Sequence, residues 1–231
     1  MKRKIALFLS VIAFVLSAYT LAFRVLSGTS AHAFNDGLRI VVDAGHGGMD
    51  GGVVGRVTKV KESDVNLAVA FKLKELLTDA GFEVVLTRQT SFGLCDGQGK
   101  WTKNADMRKR KEIITQTNPS LVISVHQNSC PSAPSVRGAQ VFFSRKSEEG
   151  KRLALSVQRK LNAFYRGLSV KERVASVADY YVLECSSIPS ILVECGFLSN
   201  AEDEALLSSE NGREKLAKGI FQGVIGFYSG E

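Results

Sequence analysis

Three short apolar runs, each ending in a side chain that can bind a metal or move a proton, constrain this chain most. Leu38-Arg39-Ile40-Val41-Val42 leads into Asp43-Ala44-Gly45-His46-Gly47-Gly48. Leu121-Val122-Ile123-Ser124-Val125 leads into His126, and Ser190-Ile191-Leu192-Val193 leads into Glu194. Such near-continuous apolar runs belong to strands covered on both faces. In open α/β sheets, sites lie outside the carboxyl ends of the strands, where these three groups fall.

The rest of the pattern supports that architecture. Strands are expected at 39–43, 83–87, 121–126, 139–143, 180–183 and 190–194, and helices at 63–80, 104–117, 148–166, 201–207 and 211–228. In the first helix Val65, Ala68, Val69, Leu73, Leu76 and Leu77 recur at helical spacing, and Gly81 ends it. Leu153, Leu155, Val157, Leu161 and Phe164 mark another half-buried helix. Strands alternating with helices predict an α/β fold: a single domain with about six mostly parallel strands and helices on both faces. The glycine-rich stretch 93–103, which holds the single tryptophan, reads as a loop near the sheet edge.

The N-terminal 33 residues have a different character. Met1-Lys2-Arg3-Lys4 is basic, Ile5 to Phe23 is almost wholly apolar, and Ala31-His32-Ala33 has the form of a cleavage site. This predicts export across the cytoplasmic membrane through a signal peptide or an N-terminal membrane anchor spanning 1–33, with the working domain at 34–231. Any membrane contact is expected through that segment alone.

Charge points away from nucleic acid. The chain carries 30 basic and 23 acidic residues, a formal +7. Without Lys2, Arg3, Lys4 and Arg24 the balance is 26 to 23, or +3. The run Arg108-Lys109-Arg110-Lys111 reads as a solvated helix face. Cys95, Cys130, Cys185 and Cys195 lack the close pairing of a structural zinc site; export permits disulfides, and Cys195 reads as a small core residue.

His46 and His126 are the sole histidines outside the N-terminal segment. Hydrolytic zinc sites take three protein ligands from histidines and carboxylates and leave one position open. Glu62, at the start of the 63–80 helix, fits as the third ligand, so one zinc ion is expected on His46, Glu62 and His126. Glu194 is the expected catalytic base, because a carboxylate after Ile-Leu-Val is costly unless it faces an open site. Asp43 and Asp50 compete for the ligand role but read better as loop-shaping groups or hydrogen-bond partners of the histidines.

From Leu38 to Tyr228 the chain resembles the zinc-dependent N-acetylmuramoyl-L-alanine amidases of bacterial cell walls, the amidase-3 group. The resemblance rests on Val42-Asp43-Ala44-Gly45-His46-Gly47-Gly48-Met49-Asp50-Gly51-Gly52 and Lys61-Glu62-Ser63-Asp64-Val65-Asn66-Leu67-Ala68. It continues through Leu86-Thr87-Arg88, Ile123-Ser124-Val125-His126-Gln127-Asn128 and the stretch Pro189 to Asn200. It implies that His46, Glu62 and His126 hold zinc and that Glu194 is the catalytic glutamate. The implied reaction is hydrolysis, by zinc-activated water, of the amide joining N-acetylmuramic acid to the L-alanine of the peptidoglycan stem peptide.

Ala44, Ser120, Gln127 and Glu184 depart from the family's usual residues, and Gln127 and Glu184 are expected to alter the groove. A bare catalytic domain behind one export segment resembles the spore-cortex amidases, which act in muramic lactam formation. That implies a place in the cell wall or spore cortex and a regulatory partner protein. The competing readings are a zinc exopeptidase acting on soluble peptides and a non-enzymatic wall-binding regulator.

Overall fold

The computed structural model describes residues 37–95 and 102–231. The expected 1–33 segment and Trp101 lie outside the described residues. Along the chain run β1 (Arg39–Ala44), α1 (Glu62–Asp79), β2 (Glu83–Leu86), α2 (Lys103–Thr117), β3 (Leu121–Asn128), β4 (Gln140–Phe143), α3 (Glu148–Arg166), β5 (Ser176–Val177), α4 (Tyr181–Glu184), β6 (Ser190–Phe197), α5 (Ala201–Ser208) and α6 (Glu210–Ser229).

The strands form one six-stranded sheet in the order β2-β1-β3-β6-β4-β5. Pairs β1–β2, β1–β3, β3–β6 and β4–β5 are parallel, and β4 runs antiparallel to β6. The chain leaves β1 for β2 on one side and returns to β3 on the other, so the strand order reverses between β1 and β3. That is where open α/β sheets place a ligand crevice.

Two-residue periodicity decides what each face buries. Ile40 and Val42 of β1, Leu121, Ile123 and Val125 of β3, and Ile191, Val193 and Cys195 of β6 enter the large core. There they meet Val69, Leu73 and Leu77 of α1, Leu153, Val157 and Leu161 of α3, and Leu216, Ile220 and Val224 of α6. On the opposite face Val41, Val122 and Leu192 meet Ile114 of α2 and Val182 and Leu183 of α4 in a smaller cluster. Helices therefore cover both faces, as expected.

The starts of α2, α3 and α5 are capped by side chains whose oxygens accept the first free amides. Thr102 accepts from Ala105 N at 3.1 Å, Ser147 from Gly150 N at 2.9 Å, and Asn200 from Glu202 N and Asp203 N at 3.1 and 3.0 Å. After α1, Gly81 adopts φ +91°, the left-handed turn that ends a helix and favours glycine.

Two expectations change. The segment 180–183 is not a strand: Tyr181–Glu184 forms one helical turn, and the edge strand lies earlier, at Ser176–Val177. Adjacent buried Val182 and Leu183 suit a helical turn as well as a strand, and so short a run has no period to separate them. Leu155 of α3 faces solvent rather than the core. Among the described residues no helix is long and apolar enough to cross a membrane.

Candidate metal centre

Alternation along the three central strands aims the polar groups away from the large core. Asp43, Ser124, His126 and Glu194 alternate with the core-facing residues and fall on the face covered by α2 and α4. His126 and Glu194 are register partners on adjacent parallel strands. His46 sits just past β1 in the left-handed conformation, φ +60°. Gly45 beneath it permits close approach, since a Cβ there would lie 2.2 Å from His126 Nε2.

His46 Nε2 and His126 Nδ1 converge on one oxygen, Glu62 Oε1, at 3.2 and 3.0 Å. One ligand atom from each residue lies within 4.8 Å of the others, a set able to hold a metal ion. Glu62 is the first residue of α1 and is 3% exposed, so the helix entry itself delivers the carboxylate. Its Oε2 accepts from Val53 N at 2.9 Å, and Oε1 also accepts from Gln127 N at 3.1 Å. His46 Nδ1–H donates to Asp50 Oδ2 at 2.9 Å, an arrangement that would leave Nε2 to a metal ion.

The three groups are electrostatically coupled. Burial opposes the charge on Glu62, but hydrogen bonds from His126 and His46 outweigh it and hold the carboxyl far below the usual range. Burial likewise opposes the His46 imidazolium, and Glu62 and Asp50 together overcome it and raise its pKa. Glu194 behaves in the opposite way. Burial, then the neighbouring charge of Glu62, pushes its carboxyl up to about 8, and its Oε2 is buried without a hydrogen-bond partner. A carboxylate with an unpaired oxygen, beside three convergent donors, is placed to exchange a proton.

These groups open into a groove of about 790 Å³. Lys103, Met107 and Arg108 of α2 form one wall, and Tyr180 and Tyr181 form another. The Tyr180 ring stands edge-on to Phe142 at 5.5 Å.

The structure brings His46, Glu62, His126 and Glu194 together and separates the two aspartates. Asp50 supports His46, as expected for a partner of the histidines. Asp43 is bonded to other partners than the imidazoles. It accepts from Ser124 Oγ at 2.6 Å, from Thr87 Oγ1 at 2.7 Å, and from the Arg110 guanidinium. Burial would raise its carboxyl pKa; Arg110 and Ser124 reverse this and lower it.

Arg110 corrects the reading of Arg108–Lys111 as a solvated face. It is buried between Asp43 and Asp106 and donates to the carbonyls of Ala44 and His46 at 2.9 and 2.7 Å. Glu184 lies away from the groove, bonded to Ser144 and 2.5 Å from Lys146 Nζ. Gln127 is buried, with Nε2 donating to Asn66 Oδ1 at 3.0 Å. All four cysteines are free thiols, and burial pushes the Cys195 thiol up to about 12.

Sequence reasoning missed Arg110, Arg88 and Asn66 as parts of the site's frame. A signal was present for Arg88, a cation directly after the buried run Val84-Val85-Leu86-Thr87. For Arg110 there was none, because an arginine among other basic residues looks the same buried or exposed.

An open α/β sheet that gathers two histidines and a glutamate at neighbouring strand ends, with a second glutamate from a helix start, has the layout of a metal-dependent hydrolase. The family model of N-acetylmuramoyl-L-alanine amidases matches residues 40–226. The chain belongs to that family and is a peptidoglycan hydrolase of the amidase class. The germination-specific N-acetylmuramoyl-L-alanine amidase of Bacillus subtilis (strain 168) is 34% identical over 194 residues, covering 82% of this chain and 79% of its own. The CwlD amidase from Clostridioides difficile, solved in complex with the GerS lipoprotein, superposes with a TM-score of 0.78 at 34% identity, covering 84% of this chain and 100% of that one. The N-acetylmuramoyl-L-alanine amidase AmiC2 of Nostoc punctiforme gives 0.71 at 30% identity, covering 84% and 99%.

Proposed function

We propose that His46, Glu62 and His126 hold one zinc ion and that Glu194 is the general base for hydrolysis of the N-acetylmuramoyl–L-alanine amide. The observation that carries this is the convergence of two imidazole nitrogens on Glu62 Oε1 beside the unpaired Glu194 carboxylate. The donor set of two imidazoles and one carboxylate matches what hydrolytic zinc takes. Bound there, zinc supplies Lewis acidity to the scissile carbonyl and lowers the pKa of water.

The chain's residues do the rest. Glu194 accepts a proton from the attacking water as its oxygen bonds to the lactyl carbonyl carbon. It then delivers that proton to the alanine nitrogen as the C–N bond breaks, giving a lactyl carboxylic acid and a free amine, which ionise in water. Asp50 keeps the His46 proton on Nδ1. Tyr180 and Tyr181 offer apolar faces to the sugar side of the groove, while Lys103 and Arg108 offer positive charge to the carboxylate-bearing stem peptide.

Residues 1–33 carry the protein across the cytoplasmic membrane, and the domain from 34 onward works in the wall or spore cortex. Similarity to a germination-specific relative supports the cortex, and the lipoprotein bound to the Clostridioides relative supports a regulatory partner for this chain.

The test is purified chain with zinc and muropeptides. Release of free stem peptide from an intact glycan is expected, and wild-type rates in Glu194→Ala would remove the base from the scheme. For the cortex role, cortex fragments from a deletion strain should lack muramic lactam; normal lactam would exclude it.

A further inference from the structure

Arg88 is a buried guanidinium whose hydrogen bonds all go to backbone carbonyls. Nε donates to Ala44 O at 3.0 Å and Nη1 to Thr90 O at 2.9 Å, while Nη2 donates to Gly45 O at 3.1 Å and Ser63 O at 2.7 Å. Two of these acceptors have a particular address. Gly45 immediately precedes His46, and Ser63 immediately follows Glu62. A single nitrogen therefore ties the backbone of one candidate ligand to that of another.

Asn66, one turn further along α1 and fully buried, closes the same gap from the other side. Its Nδ2 lies 3.1 Å from Gly45 O and 3.4 Å from Glu62 Oε1. Its Oδ1 accepts from Gln127 Nε2 at 3.0 Å, on the residue after His126. The Gly45 carbonyl is thus held by both Arg88 and Asn66, and Asn66 reaches all three ligand-bearing segments.

Tying β2 to β1 does not call for a buried cation, since apolar packing does that at lower desolvation cost. What a guanidinium adds is a planar fork of donors that fixes several acceptors at set angles, which a lysine ammonium does not reproduce. The loop needs such restraint. His46 holds a left-handed backbone, φ +60°, that is strained for a non-glycine residue and persists where its surroundings impose it.

We propose that Arg88, together with Asn66, is a positioning residue that sets the separation of His46 from Glu62 before the metal arrives, so that it governs zinc affinity. The inference rests on the three-ligand reading above. A preformed ligand pair binds without first ordering its loop, and loss of the fork transfers that ordering cost to the binding step.

The test measures the zinc dissociation constant by competition with a chromophoric chelator, alongside the melting temperature of the metal-free chain. Arg88→Lys and Asn66→Ala are each expected to weaken zinc at least about tenfold, as supporting residues of metal sites do. Ile220→Val and Leu216→Ala, core truncations in α6, calibrate how affinity follows stability alone and should bind zinc within about twofold of wild type. If Arg88→Lys does not fold, Asn66→Ala decides. Unchanged affinity in the site variants, or losses no larger than the α6 pair shows at equal melting temperature, would overturn the clamp. Absence of zinc binding by the wild-type chain would instead overturn the three-ligand reading.

Discussion

His126 and Glu194 stand opposite one another across the β3–β6 ladder, on the face away from the large core. Parallel pairing makes both strands deliver their side chains at the same end of the sheet. A one-residue slip of β6 would turn Glu194 into the large core and expose Ile191 and Val193, so the burial of those two residues locks the register. The Glu194 carboxyl, the proposed base, is therefore placed by apolar packing.

Replacing Glu194 with glutamine keeps the shape and removes the proposed base. Activity on muropeptides should fall about 10²- to 10⁴-fold, the usual worth of a positioned general base. Elemental analysis should still find one zinc per chain, because Glu194 is not among the ligands.

In the metal-free chain Glu194 should make stability fall as pH rises. Its folded pKa, about 8, lies above the ordinary 4.5, so the folded state holds the extra proton between those values. The contribution is complete below about pH 4.5 and is lost as pH passes through 8. Urea unfolding above pH 8 should show Glu194→Gln more stable than wild type by up to about 5 kcal/mol, and the two should converge at pH 4.

Asp50→Asn leaves the His46 tautomer less well held. Zinc affinity should weaken about 10- to 100-fold. Chelator competition reads this directly, and fully loaded enzyme should recover most of its rate.

Arg110 compensates two buried carboxylates at once. Arg110→Met strands Asp43 and Asp106 and should cost about 3–5 kcal/mol in urea unfolding. Removing Lys72, which forms a surface ion pair with Glu75 at 4.0 Å, should cost less than about 1 kcal/mol.

Arg108→Glu reverses charge on the α2 wall of the groove. KM for acidic stem-peptide substrates should rise about tenfold, with kcat nearly unchanged and the difference shrinking at high salt. A fall in kcat with KM unaltered would place Arg108 outside peptide binding.

Much of this was legible along the chain. Buried strands announce themselves by unbroken Val and Ile, so β1, β3 and β6 and the residues at their ends could be read directly. The α1 boundary was legible from its apolar spacing and Gly81. The short pieces after 170 were not, because two to four residues carry no period and neighbouring packing selects their conformation.

Sequence alone determined the alternation of elements and the residue types at the strand ends, since both depend on local spacing and side-chain chemistry. Tertiary structure decided which face those side chains take and which of Asp43 and Asp50 supports a histidine. It also decided that Arg88 and Arg110 lie beneath the site rather than on the surface. These outcomes depend on register and on contacts between residues as far apart as Asp43 and Arg110, where desolvation is offset only once the partners meet.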